Sequence, residues 1–438
     1  MPINGNVLAI SNETDSAVVA AALVEAKKNE NFNEISFHAI EITKATAAAF
    51  LELLCDRDRQ WEGVELINCR GQVELAITIA MSIDRVKRFN LVRNIEMTGG
   101  YDALGTALQA TTSLQSLRLT TSIQGNDAAA FAEGLKRNTS LETLDFRWSS
   151  FDAQSVTHLA RGLSENKRLK NLHFFGCGLQ DDQVAEIATA LRYHPSLELL
   201  NFNGNMCGSR GTGPIAAMIR SETCILTKID LSFQRIDMME NRVDIALLAS
   251  ALKNNVSLKT LELSSNNLDD GDAEELASAL CKNSTLQELF LARNKITDAG
   301  ITTLAIKLPD MKGLKKLSLW GNPFGEDGAK ELLAGLRCNM ELERLDLFRQ
   351  FKCSEQILYF TYVNRGGRKI LEEPPNNVPL SLWPLVLERA IQVKLTKRKD
   401  HNDEAARVDI LYCLLRGPVL FARGYDFVSS VQATALEK

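Results

Sequence analysis

One register of apolar residues recurs along most of the 438-residue chain and constrains its fold more than any other feature. Each copy has an apolar residue, a second at offset three, a third at offset five, often Asn or Cys at offset eight, and another apolar residue at offset ten. The clearest copies are Leu258, Leu261, Leu263, Asn266, Leu268; then Leu286, Leu289, Leu291, Asn294, Ile296; then Leu314, Leu317, Leu319, Asn322, Phe324. Copies also start at Leu226, Leu197, Leu169, Leu141 and Leu114, degenerate ones at Val86, Trp61 and Phe32, and a last strand at Leu342. The spacing of these twelve starts is 27 to 29 residues, except for 25 before Val86 and 32 before Leu258. A fixed period of this length is the signature of a repeat array.

Within each copy the pattern changes from period two to helical period. LETLDF (Leu141 to Phe146) precedes DAQSVTHLARGLSENKR, where Val156, Leu159, Ala160 and Leu163 form one stripe. One repeat is therefore a short strand plus a helix. Such a unit cannot bury both apolar surfaces alone, so neighbours must stack into an α/β solenoid with an inner parallel β-sheet and outer helices. Strand alternation sends offsets three and five into the core and leaves offsets two, four and six on the concave side. The Asn at offset eight is placed to hydrogen-bond backbone where the chain turns out of the strand; Cys69 and Cys177 occupy the same place.

From about Phe32 to Gln350 these residues resemble the ribonuclease-inhibitor-like class of leucine-rich repeats, the 28-residue type with Asn or Cys at that turn. The resemblance implies a horseshoe-shaped solenoid. It also implies a protein partner, since ribonuclease inhibitor sets aromatic residues of this inner face against its target. The class further includes the Ran GTPase-activating protein and the sensor ends of nucleotide-binding immune receptors. GTPase activation and a stand-alone sensor or regulatory subunit are therefore the alternative functions. The acidic tail of the Ran activator is missing, because the sequence ends GYDFVSSVQATALEK.

The expected organisation is an amino-terminal cap over 1–31, the solenoid of about twelve repeats over 32–352, and a helical cap or adaptor over 353–438. In the last segment SLWPLVLERAIQ and ARVDILYCLLRGPVLF read as helices. The four extra residues between Leu226 and Leu258 predict a loop insertion around Asp237 to Arg242. The start has no basic n-region and no apolar run long enough for a signal, and no stretch approaches membrane-spanning length, so the expectation is a cytoplasmic monomer without membrane contact. Nine scattered cysteines without a CxxC pair predict reduced thiols rather than a disulfide framework or zinc site.

Chemistry-bearing motifs are missing. GNMCGSRGTG (Gly204 to Gly213) has no Lys-Ser or Lys-Thr after its glycines, so it reads as a turn rather than a phosphate cradle. The five histidines form no HExxH and no ligand-spaced pair with cysteine. The expectation is a non-catalytic chain with no cofactor and no metal. Sequons at Asn138, Asn255 and Asn283 each fall three residues before a repeat's first leucine. They are read as helix-end asparagines that tolerate a left-handed turn.

The remaining signal is the inner stripe. Offsets four, six and seven carry Arg147, Trp148 and Phe175 mid-array, and Phe290, Arg293, Trp320, Phe348 and Arg349 near its end, with Arg344 at offset two. Aromatics and Arg dominate interface energetics, because they bury much area at little entropy cost and donate hydrogen bonds. A net charge of −5, and Glu262, Glu288 and Asp346 beside the arginines, favour a protein partner over a nucleic acid.

Overall fold

Strand, turn and helix alternate at the predicted spacing. The computed structural model describes residues 6–12, 15–28, 31–55, 60–71, 84–92, 100–234, 242–347 and 351–365. They divide between two compact units, Met1–Ala251 and Leu252–Lys438. In the first unit, strands Val7–Ser11, Glu34–His38, Trp61–Ile67, Val86–Val92, Ser116–Thr120, Thr143–Asp145, Asn171–His173, Leu199–Asn201 and Lys228–Asp230 lie in chain order. Each is parallel to the next and in register, offset two beside offset two: Thr143, Asn171, Leu199 and Lys228 form one such row. The second unit repeats the arrangement with Thr260–Glu262, Glu288–Phe290, Lys316–Ser318 and Arg344–Asp346. Within each unit successive helices pack side by side.

The segment expected to cap the amino end supplies helix Ser16–Ala26 and also strand Val7–Ser11, which pairs with Glu34–His38 in the same register as every later pair. Helix Ser354–Arg365 follows the last described strand. The two helices expected in the tail and the loop insertion at Asp237 fall on or overlap residues outside the described set. No helix among the described residues is long and apolar enough to cross a membrane.

Offsets zero and three are buried throughout the described repeats, and offsets five and ten in most of them, the exceptions including Leu347 at offset five and Gly71, Gln124 and Phe151 at offset ten; Leu286, Leu289, Leu291 and Ile296 are wholly enclosed. In the first unit, offset five becomes an aromatic spine. Phe146 and Phe174 stack with ring centres 5.3 Å apart, Phe174 and Phe202 at 5.5 Å, and Phe131 and Phe151 meet Phe146 edge-on. A second device ties the helix starts together. The Asp298 carboxylate accepts the Gly325 and Gly328 N–H groups at 2.7 and 2.9 Å, capping the next repeat's helix. A Cβ on Gly328 would stand 2.6 Å from that oxygen, so a side chain is excluded there.

In most repeats from Trp61 onward one side chain at offset eight satisfies the turn out of the strand. Asn294 donates to the Leu291 carbonyl of its own repeat (3.0 Å) and to Leu263 of the previous one (3.1 Å), while its Oδ1 accepts the Asn266 and Leu268 N–H groups. Asn205 and Asn322 make the same two donations, one within the repeat and one to the previous repeat, and each accepts one N–H of the previous repeat, from Leu179 and Ile296. Gln234 stretches into an equivalent place, donating to Phe202 and accepting from Cys207, and Ser149 donates to Leu119. The Cys177 thiol donates to the Phe146 carbonyl at 3.0 Å; burial pushes its pKa up to about 12, which keeps the donor proton on sulfur.

A second asparagine ladder closes the helix ends. Asn283 donates to Leu252 and Asn255 carbonyls and accepts the Thr285 and Leu286 N–H groups; Asn138, Asn166 and Asn339 repeat the pattern. The left-handed turn expected at these asparagines is absent. Asn138 has φ −67° and ψ 135°, extended backbone, and its amide is used for its hydrogen bonds rather than its tolerance of positive φ. Asn138, Asn255 and Asn283 are buried. In the Leu197 repeat the position is His194, whose Nδ1 accepts from Ser196 N–H at 3.4 Å while its buried Nε2 has no hydrogen-bond partner among the described residues.

Two outcomes follow. Asn294→Ala strands the Asn266 and Leu268 amides in a buried turn and removes a donor from the Leu263 and Leu291 carbonyls, the second of which Asn322 still bonds at 2.8 Å, and should destabilise the protein by about 2 to 4 kcal/mol in denaturant titration; Asn294→Cys, which retains a donor like Cys177, should lose clearly less. Burial lowers the His194 pKa from 6.5 to about 4, so between those values the unfolded chain binds a proton that the folded chain does not. Stability present above pH 6.5 is therefore lost as pH falls through that window, on the order of 3 kcal/mol. His194→Asn should shrink the acid-side drop in melting temperature; an unchanged pH profile would show that His194 does not cause it.

Candidate protein-binding face

Parallel register lines up equal offsets from repeat to repeat, so the strand face opposite the helices carries rows at offsets two, four and six. The backbone then adds a fourth row. At offset seven the chain turns left-handed: Asn12, Ala39, Asn68, Trp148, Gly176, Gly204, Phe233, Ser265, Arg293 and Gly321 all have φ between 51° and 77°. This turn lets the offset-seven N–H donate to the offset-six carbonyl of the next repeat, as in Trp148 to Phe175 at 2.8 Å and Arg293 to Trp320 at 2.6 Å. Glycine adopts the conformation without steric cost, whereas for other residues it costs roughly 1 to 2 kcal/mol.

Three predicted site residues meet in the first unit. Trp148 stands in that left-handed position, 58% exposed, and meets Phe175 edge-to-face with ring centres 4.9 Å apart. Its ring lies over Gly176, where a Cβ would come within 2.7 Å of it. Arg147 is half-buried and turns back onto Asp145, with Nε at 2.7 Å from Oδ2. Arg118, on the preceding strand, reaches the same oxygen at 3.0 Å. These two arginines and their hydrogen bonds hold the buried Asp145 carboxyl below the ordinary carboxylate pKa, against the opposing effect of its own burial. His173, register partner of Asp145, has its pKa lowered by burial.

The second unit brings together Phe290, Arg293, Trp320 and Arg344. The Arg293 guanidinium lies 4.5 Å above the Trp320 ring, and Lys316 Nζ lies 4.2 Å above Phe290. Arg344 is exposed and pairs with Asp346 at 2.7 Å. Phe290 and Trp320 are thus half-covered by cations of neighbouring strands. Phe348 and Arg349 lie outside the described residues.

Two features escaped the sequence reading. Phe233 is a second left-handed aromatic, 46% exposed, and its only sequence signal is a bulky residue at offset seven. The convergence of Arg118 and Arg147 on Asp145 joins residues 27 positions apart and is visible only once the register is known. All eight described cysteines are free. Among the described residues no three His, Cys, Asp or Glu side chains gather as a metal site would require.

A leucine-rich-repeat family model matches residues 254–277 and 282–305. No curated protein sequence matches the chain. Among solved structures, the chain is similar to TLR13 in a complex with ssRNA13, with TM-score 0.47 and 15% identity over 79% of this chain and 50% of that one. An internalin from Listeria monocytogenes gives TM-score 0.43 and 15% identity over 79% and 87%. Actin-binding site 2 of leiomodin-1 gives TM-score 0.26 and 22% identity over 29% and 78%. The two matched segments each span a strand, its asparagine turn and most of a helix, and the same unit recurs through both compact units. The chain carries leucine-rich repeats.

Proposed function

We propose that the chain is a non-catalytic protein-interaction scaffold that reads a partner with its strand face. The contact residues in this reading are Arg147, Trp148 and Phe175 in the first unit and Phe290, Arg293, Trp320 and Arg344 in the second. Phe348 and Arg349 belong to the same stripe by their offsets in the Leu342 repeat. A cytoplasmic setting is part of the proposal, since free cysteines, Cys55 and Cys338 among them exposed, suit a reducing compartment.

Trp148 carries the reading. The left-handed backbone at offset seven favours glycine, which Gly176, Gly204 and Gly321 supply in other repeats. A tryptophan there bears a conformational cost and leaves most of its ring in water, so folding alone does not account for it. A rigid, exposed aromatic next in sequence to the half-exposed Arg147 has the composition of an interface anchor.

The test separates binding from folding. Trp148→Gly removes the ring and relieves the left-handed strain while losing one edge-on aromatic contact worth about 0.5 to 1.5 kcal/mol. The expected change in stability is within about 1 kcal/mol of zero. In the same variant, quantitative affinity capture from native extract should lose the proteins that the parent chain retains. Unchanged capture, or a stability loss well above that range, would make Trp148 a cover for Phe175 and not a contact residue.

A further inference from the structure

Arg118, Asp145 and Arg147 form a charged cluster on the strand face of the first unit. Both Nε groups bind the same Asp145 oxygen, Oδ2, and Arg147 adds a second contact to Oδ1. Asp145 is almost fully buried, its side chain 6% exposed, whereas the two arginines retain 37% and 40% of their side-chain surface. No Nη atom of either arginine has a protein partner among the described residues. One buried carboxylate therefore fixes two guanidiniums by their inner edges and leaves their outer forks directed away from it. With one acidic and two basic groups, the cluster carries a net charge of +1.

Like charges held this close repel, and Asp145 offsets that repulsion only in part. A second carboxylate, bound by the free Nη groups, would complete the neutralisation and use the planar donor geometry that arginine offers and lysine lacks. Trp148 is joined directly to Arg147 and is exposed, so an apolar or aromatic neighbour of that carboxylate has a surface to pack on.

We propose that Arg118 and Arg147, positioned by Asp145, form a carboxylate-binding fork that recognises an Asp or Glu side chain of a protein partner next to an apolar residue. The inference rests on the strand-face reading and specifies the chemistry of one part of it.

A synthetic array of short peptides, randomised in apolar and aromatic residues around one central position fixed as Glu, Gln, Lys or phosphoserine, is probed with the labelled full chain. Glu peptides should be retained at least about tenfold more strongly than Gln or Lys peptides, and the difference should fall with added salt. Arg118→Gln and Arg147→Gln should each abolish the preference, and Arg147→Lys, which keeps the charge but not the fork, should reduce it several-fold. Equal retention of Glu and Gln peptides, or a preference undiminished in Arg147→Lys, would overturn the fork; retention of phosphoserine peptides alone would overturn its assignment to carboxylates. Affinity capture that still depends on Trp148 after any of these results would leave the strand-face reading standing.

Discussion

The buried turn at offset eight is the constraint on which the rest of the structure depends. Every repeat must carry its backbone from the strand to the helical side through a region without water, and unpaired amides and carbonyls there are costly. Asn205, Asn294 and Asn322 answer the requirement with one side chain that donates to two carbonyls and accepts from backbone amides, bridging adjacent repeats. The bridge works at only one spacing, so it holds neighbouring strands in register. Cysteine, serine and glutamine meet the same need with fewer or longer bonds, which is why the register survives at Cys177, Ser149 and Gln234.

From that register follows the geometry of the strand face. Because the turn is fixed, the residue before it is left-handed in repeat after repeat, and its N–H completes the ladder to the next strand. What varies is the side chain. Glycine at Gly176 lets the Trp148 ring lie flat on the neighbouring repeat, and Gly321 leaves the Arg293 stem room beside Trp320. The structural demands fall on offsets zero, three, five, eight and ten, and the rows at two, four, six and seven are left to vary.

The repetitive part of the fold was legible because leucine spacing reports burial directly. Strands from Phe32 onward and their core residues follow from it, as does the role of Asn and Cys at the turn. Strand Val7–Ser11 was not, since a single short alternation without an asparagine turn does not distinguish itself from a cap. The helix-end asparagines were located but given the wrong physical role: their side-chain hydrogen bonds, not a left-handed backbone, explain them. At the candidate site, the individual aromatics and arginines were readable from their offsets. Their mutual contacts were not, because Trp148 with Phe175, Arg293 with Trp320 and Arg118 with Asp145 meet across repeats.

The central claim, that the strand face reads a partner while the ladder and helices support it, is tested most directly by hydrogen exchange on the chain with and without its captured partner. Backbone amides of 143–149 and 171–176 should gain protection on binding, and helices Ala153–Glu165 and Asp181–Ala190 should exchange as before. Protection confined to those helices, with the strand-face amides unchanged, would contradict the account.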